Sequence, residues 1–148
     1  MSQYTEDSLV QRTTADYLKE SLGWDSVYAY NNEDFGPASL LGRASDKEVV
    51  LTRSLRKKLE EFNPGLPADV YDSAVRQITE AGLSQSILTN NREKYDLLKT
   101  GVKVPFRNAD GEHKTETLRV FNFDEPEKND FLCVRELWVR GDLYHRRA

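Results

Sequence analysis

A single Glu-x-Lys triplet suited to phosphodiester chemistry stands out in this sequence, Glu112-His113-Lys114, shortly after Asp110. Carboxylates beside a lysine can hold a divalent cation and steady charge developing on a phosphate. The triplet, however, follows the turn Asn108-Ala109-Asp110-Gly111 and lacks the apolar strand that normally carries such a motif. No Asp-led strand precedes it, so its context argues against catalysis. Gly36–Gly42 followed by Arg43 outlines a phosphate loop. Its glycine spacing is too long and its lysine is missing, which argues against an ATP site. His113 and His145 lie far apart with no cysteine at ligand spacing, which argues against zinc. Cys133 sits in an apolar run and reads as a small buried hydrophobe. No nucleophile elbow is present. The basic residues Arg43, Lys47, Arg53, Arg56, Lys57 and Lys58 share one stretch, diluted by Asp46 and Glu48. Such a run either solvates a surface or tracks a DNA backbone. Trp24, Tyr28, Tyr30 and Trp138 read as core or interface aromatics before base-stacking platforms.

The elements that must position these groups are legible from periodicity. Apolar residues recur at i, i+4 spacing over residues 6–22, with Thr5 as cap and Gly23 as stop, and predict a helix. Residues 26–30 predict a short strand, and 31–44 a loop. Ser45 and Glu48 form a capping-box pattern that predicts a helix running to Phe62, ended by Asn63-Pro64-Gly65. A further helix is expected over 67–81, and one or two helical pieces over 84–100. From Val102 the character changes. Residues 102–106, 115–123 and 131–139 predict strands, the first two joined through the Asn-Ala-Asp-Gly hairpin.

The expected fold is therefore α+β: a helical N-terminal two-thirds (about 1–100) followed by an antiparallel strand meander (about 101–148). At 148 residues, with 38% hydrophobic and 31% charged residues, the chain suffices for one domain with a real core. Two Trp, seven Tyr and six Phe argue against wholesale disorder. A net charge of −4 does not announce a nucleic-acid binder. Neither a membrane span nor a signal core is expected, and one cysteine fits a reducing cytoplasm.

Several segments, taken in order, resemble the N-terminal region of the restriction (R) subunit of type I restriction-modification enzymes. Thr5-Glu6-Asp7-Ser8-Leu9-Val10-Gln11, followed by Leu22-Gly23-Trp24, is similar to the family's first helix and its end. Asn63-Pro64-Gly65-Leu66-Pro67 is similar to its "L-N-P-x-L-P" segment, with Phe62 where leucine is usual. Asn91 with Leu97-Leu98-Lys99-Thr100-Gly101-Val102-Lys103-Val104 is similar to its "N…L-L-x-x-G-V-x-V" segment. Asn129-Asp130-Phe131, Trp138-Val139 and Arg146-Arg147-Ala148 resemble its run into the nuclease core.

The resemblance implies the leading part of a PD-(D/E)xK, restriction-endonuclease-like α/β core, cut short at residue 148. The complete subunit would use ATP to translocate DNA and Mg²⁺ to cut it. It would work beside modification (methyltransferase) and specificity subunits on double-stranded DNA. Glu6 matches a glutamate that supports the family's metal site. Arg146 and Arg147 match the basic residues before the first catalytic Asp. That Asp and the family's Glu-x-Lys do not map onto this chain, so the chain alone is expected to be inactive. The alternative is a non-catalytic module that binds DNA, through Arg53, Arg56, Lys57 and Lys58, or docks on a partner subunit. A more remote alternative is an unrelated enzyme centred on Asp110, Glu112 and Lys114. A long 131–139 strand left with an open apolar edge would also favour self-association.

Overall fold

Four α-helices and six short strands occupy the described residues of the computed structural model, which are 7–30, 32–80, 86–141 and 145–147. They form two compact units. One comprises Met1–Leu51 with Asp130–Ala148, and the other Thr52–Asn129.

In the second unit, α2 (Thr52–Phe62) buries Leu59 completely, with Leu55 half-buried one turn before it. Asn63 ends the helix. Its amide Nδ2 donates to Leu59 O at 2.9 Å and to Arg119 O at 2.9 Å, and its Oδ1 accepts from Arg119 N at 2.8 Å. One side chain thus stops a helix and satisfies the backbone just beyond a strand. α3 (Ala68–Thr79) starts directly after Pro67, where a missing N–H costs nothing, and buries Val70, Tyr71, Ala74 and Ile78. The Tyr71 hydroxyl donates to Asn63 O at 2.6 Å and accepts from Leu66 N at 3.2 Å, which fixes the α2–α3 turn. α4 (Ile87–Thr100) is capped by Ser86 Oγ, which accepts from Thr89 N at 3.2 Å.

β2 (Val102–Arg107) and β3 (His113–Leu118) pair as an antiparallel hairpin, with Val102 opposite Leu118. Val102, Val104, Leu118 and Val120 close one core with Leu59, Val70 and Ala74. Gly101 joins α4 to β2 at φ 92°, and a Cβ there would stand 2.8 Å from Leu118 O and 2.9 Å from Thr117 Cγ2. We therefore expect Gly101→Ala to destabilise the chain by about 1–3 kcal/mol, from left-handed strain and a clash with backbone that cannot yield. Urea denaturation followed by far-UV circular dichroism measures it, and a midpoint equal to wild type would contradict it.

In the first unit, a single π-helical turn (Asp7–Gln11) leads into α1 (Arg12–Leu22). Gly23, at φ 70°, ends the helix: its N–H donates to Lys19 O at 3.1 Å, and Trp24 N donates to Leu18 O at 3.1 Å. Trp24 then stacks on Phe131 with ring centroids 5.3 Å apart. β1 (Asp25–Tyr28) runs parallel to β4 (Leu132–Arg135), with Val27 opposite Val134. Asp25 N donates to Phe131 O and Ala29 N to Arg135 O, each at 2.9 Å, at the two ends of this pair. The Arg135 guanidinium lies 4.9 Å from the Tyr28 ring centroid. β5 (Trp138–Arg140) pairs antiparallel with β6 (His145–Arg147).

The α+β class holds, and four expectations are corrected. No helix forms over 45–51. Ser45 Oγ accepts from Lys47 N, and the Glu48 carboxylate accepts from Ala44 N at 2.6 Å, so the capping-box residues close a turn instead. The Glu48 carbonyl accepts from Arg43, whereas a continuing helix would direct it to Thr52 N–H. The expected 131–139 strand is broken at Glu136, whose φ of 56° no strand can accommodate. The expected meander is replaced by non-local pairing, because β4 takes β1 as its parallel partner. β3 ends at Leu118 instead of 123, where Asn63 takes over the Arg119 backbone.

Candidate functional site

Arg43 is the largest fully buried side chain of the described residues, with 0% relative exposure. Its Nε donates to Glu33 Oε1 at 2.7 Å and its Nη2 to Glu33 Oε2 at 2.5 Å, a two-point grip on a carboxylate whose side chain is 6% exposed. Nη1 donates to Glu48 O at 2.9 Å, and Nη2 also to Trp138 O at 2.9 Å. Phe35 covers the guanidinium at 5.8 Å. A buried arginine demands this many acceptors, because each N–H removed from water must be paired. One side chain therefore ties the 33–48 loop to itself and to β5.

A second tether lies two residues along β5. Arg140 N donates to Asp46 O at 2.9 Å, and the Arg140 guanidinium meets the Asp46 carboxylate at 3.0 Å. The Trp138 carbonyl and the Arg140 N–H point to the same side of an extended strand. Residues 43–46 thus occupy one edge of β5, and β6 pairs along the strand as well. That edge of β5 is filled from within the chain.

β6 carries Arg146 and Arg147, in register with Val139 and Trp138 respectively. Glu6 lies outside the described residues. The four basic residues expected to face DNA share α2, but their surroundings differ. Arg56 meets Glu60 at 2.6 Å, pairs with Asp72 as well, and lies 5.1 Å from the Tyr71 ring centroid. Partial burial works against its charge, yet the hydrogen bonds to Glu60 and Asp72 outweigh this and hold its pKa above the usual value. Lys58 meets Glu61 at 3.0 Å and donates to Lys128 O at 2.8 Å. Arg53 and Lys57 are exposed.

The structure puts Glu112 in the β2–β3 turn, where its carboxylate accepts from Asn108 Nδ2 at 3.0 Å, and Lys114 on exposed β3. Cys133 is half-buried on β4. Among the described residues no three His, Cys, Asp or Glu side chains gather closely enough to hold a metal ion. No helix among the described residues is long and apolar enough to cross a membrane.

Sequence reasoning missed the role of Arg43, which stood there only as one member of a basic run. Its nearest signal is local: an arginine just after Gly42 and a short loop away from Glu33, flanked by apolar Leu40 and Leu41. Burial of the pair depends on β5, far along the chain, which no local spacing encodes.

Comparison with known proteins adds the family. Residues 3–148 match the family described as "Type I restriction enzyme R protein N terminus". The chain is 31% identical over 122 residues to the type I restriction enzyme HindI endonuclease subunit of Haemophilus influenzae, covering 82% of this chain and 11% of that protein. It is 25% identical over 134 residues to the putative type I restriction enzyme MjaIXP endonuclease subunit of Methanocaldococcus jannaschii, covering 90% of this chain and 12% of that protein. The chain thus spans only about a tenth of the length of these relatives. No solved structure matches it. A family match over nearly every residue, joined to an α+β architecture, identifies the chain as a member of the type I restriction enzyme R protein N-terminal family.

Proposed function

We propose that this chain is the nuclease-side N-terminal region of a type I restriction R subunit, with a PD-(D/E)xK-type core. The complete enzyme would translocate DNA with ATP and hydrolyse phosphodiesters with Mg²⁺, in the cytoplasm, alongside modification and specificity subunits. The observation that carries this reading is the family match over residues 3–148. The structure is compatible with it: a parallel β1–β4 pair beside α1, and a tethered β5–β6 hairpin bearing Arg146 and Arg147. In this reading Glu6 supports the metal site, and Arg146 and Arg147 steer a phosphate towards it. The catalytic Asp and Glu-x-Lys belong to the parent subunit outside these 148 residues.

The non-catalytic alternative, DNA binding through α2, draws less support from the geometry. Arg56 and Lys58 lie beside the carboxylates of Glu60, Asp72 and Glu61, whose negative charge would repel an approaching phosphate.

Cleavage separates the readings. The assembled enzyme should linearise plasmid DNA with ATP and Mg²⁺, and Glu6→Ala should slow cutting about 10-fold or more while leaving DNA-stimulated ATP hydrolysis intact. The isolated 148-residue chain should not cut. Robust Mg²⁺-dependent cutting by the isolated chain, abolished by Glu6→Ala, would overturn the placement of the catalytic carboxylates outside it.

A further inference from the structure

The Glu33–Arg43 pair is costly to bury, and the nuclease reading gives that cost a purpose. Two oppositely charged groups removed from water roughly break even against a hydrophobic pair of the same volume, so stability alone is weak grounds for keeping them. What the pair supplies that an apolar pair could not is direction. The guanidinium is planar, and its N–H groups leave at fixed angles. Glu33 holds Arg43 by two of these bonds, and the others aim at two carbonyls, Glu48 O and Trp138 O. Trp138 stands directly opposite Arg147 across the β5–β6 ladder. The position of β6 is therefore referred, through one carbonyl, to a buried ion pair in a distant loop. Asp46 and Arg140 fix the far end of the same strand, so β5 is held at both ends. β5 and β6 are each three residues long. A hairpin that short is marginal by itself and takes its placement from what grips it.

We infer that Arg43 is a positioning residue: with Glu33 it sets the β5–β6 hairpin, and with it Arg146 and Arg147, in the place from which they meet DNA. This rests on the nuclease reading of the chain. Arg43 touches neither DNA nor metal in this account and acts only through Trp138. Lysine is the informative substitute. It keeps the charge opposite Glu33, but as a single rotating ammonium it cannot serve Glu33, Glu48 and Trp138 at fixed angles.

The test uses the assembled R-subunit enzyme with Arg43→Lys, beside Arg140→Ala as a second lesion at the other end of β5. Three readouts are taken: single-turnover DNA cleavage per folded molecule, DNA-stimulated ATP hydrolysis, and amide exchange of residues 138–147. The expected result for Arg43→Lys is folded protein with unchanged ATP hydrolysis, faster exchange across 138–147, and cleavage slowed by about 10- to 100-fold in rate rather than in DNA affinity. Arg140→Ala should shift the same readouts in the same direction. Wild-type cleavage and exchange in Arg43→Lys would overturn the inference. So would a cleavage loss that merely follows the fraction unfolded. Wild-type enzyme that shows no cleavage at all, with exchange still responding to Arg43→Lys, would sink the nuclease reading and leave only a structural clamp.

Discussion

Replacing Glu33 with alanine should unfold the first unit at distinctly lower denaturant. The substitution leaves the Arg43 guanidinium fully buried with its two strongest acceptors gone. Stranding a buried charge costs about 3–5 kcal/mol, several times what an exposed ion pair is worth. Both tryptophans of the chain, Trp24 and Trp138, lie in this unit, so fluorescence during urea denaturation reports on it directly. A midpoint lowered by more than about 1 M urea is expected, given slopes of a few kcal/mol per molar for small proteins. A comparison with Arg12→Ala calibrates the result. Arg12 and Asp16 sit 3.8 Å apart with both side chains more than half exposed, so that change should be nearly silent. Equal midpoints for Glu33→Ala and wild type would show that the guanidinium finds water or another acceptor, and the clamp would lose its energetic basis.

The second large effect lies in the other unit. Leu59→Ala should cost about 2–5 kcal/mol, because Leu59 is 0% exposed within the buried core and its truncation leaves a cavity there. Val70 and Ala74 from α3 and Val102 and Leu118 from the hairpin belong to the same core. Far-UV circular dichroism during urea denaturation is the appropriate signal, since this unit contains α2, α3 and α4. Lys57→Ala on the exposed face of the same helix should change stability by no more than about 0.5 kcal/mol. If Leu59→Ala were equally mild, the close packing of this core would be refuted.

Where local chemistry decides, the sequence was readable. Pro67 marks the start of α3, Gly23 the end of α1, and Asn108 to Gly111 the β2–β3 turn, whose Asn108 Oδ1 accepts from Asp110 N and Glu112 N. Each of these signals is satisfied within a few residues. The misreadings have other causes. Ser45 and Glu48 carry a valid capping pattern, yet Arg43 takes the Glu48 carbonyl and the turn closes locally. Glu136 is neither glycine nor asparagine, so nothing in its type announces the break between β4 and β5. β1 and β4 find each other across most of the chain, and periodicity is blind to which strands pair. The candidate site follows the same rule. Arg146 and Arg147 were visible as a basic pair, whereas the residue that anchors their hairpin was hidden in a charged run because its burial is a property of the assembled unit.

The division of the chain also sets an order of events during synthesis. The unit of Met1–Leu51 and Asp130–Ala148 is discontinuous, with Thr52–Asn129 inserted between its halves. As the polypeptide emerges, β1 and the Arg43 loop exist before their partners β4 and β5 have been made. The inserted segment holds all its own core residues and can close first. The clamp on β5 therefore becomes available only after the inserted unit has been made, and Glu33 and Arg43 must wait for Trp138 to complete it.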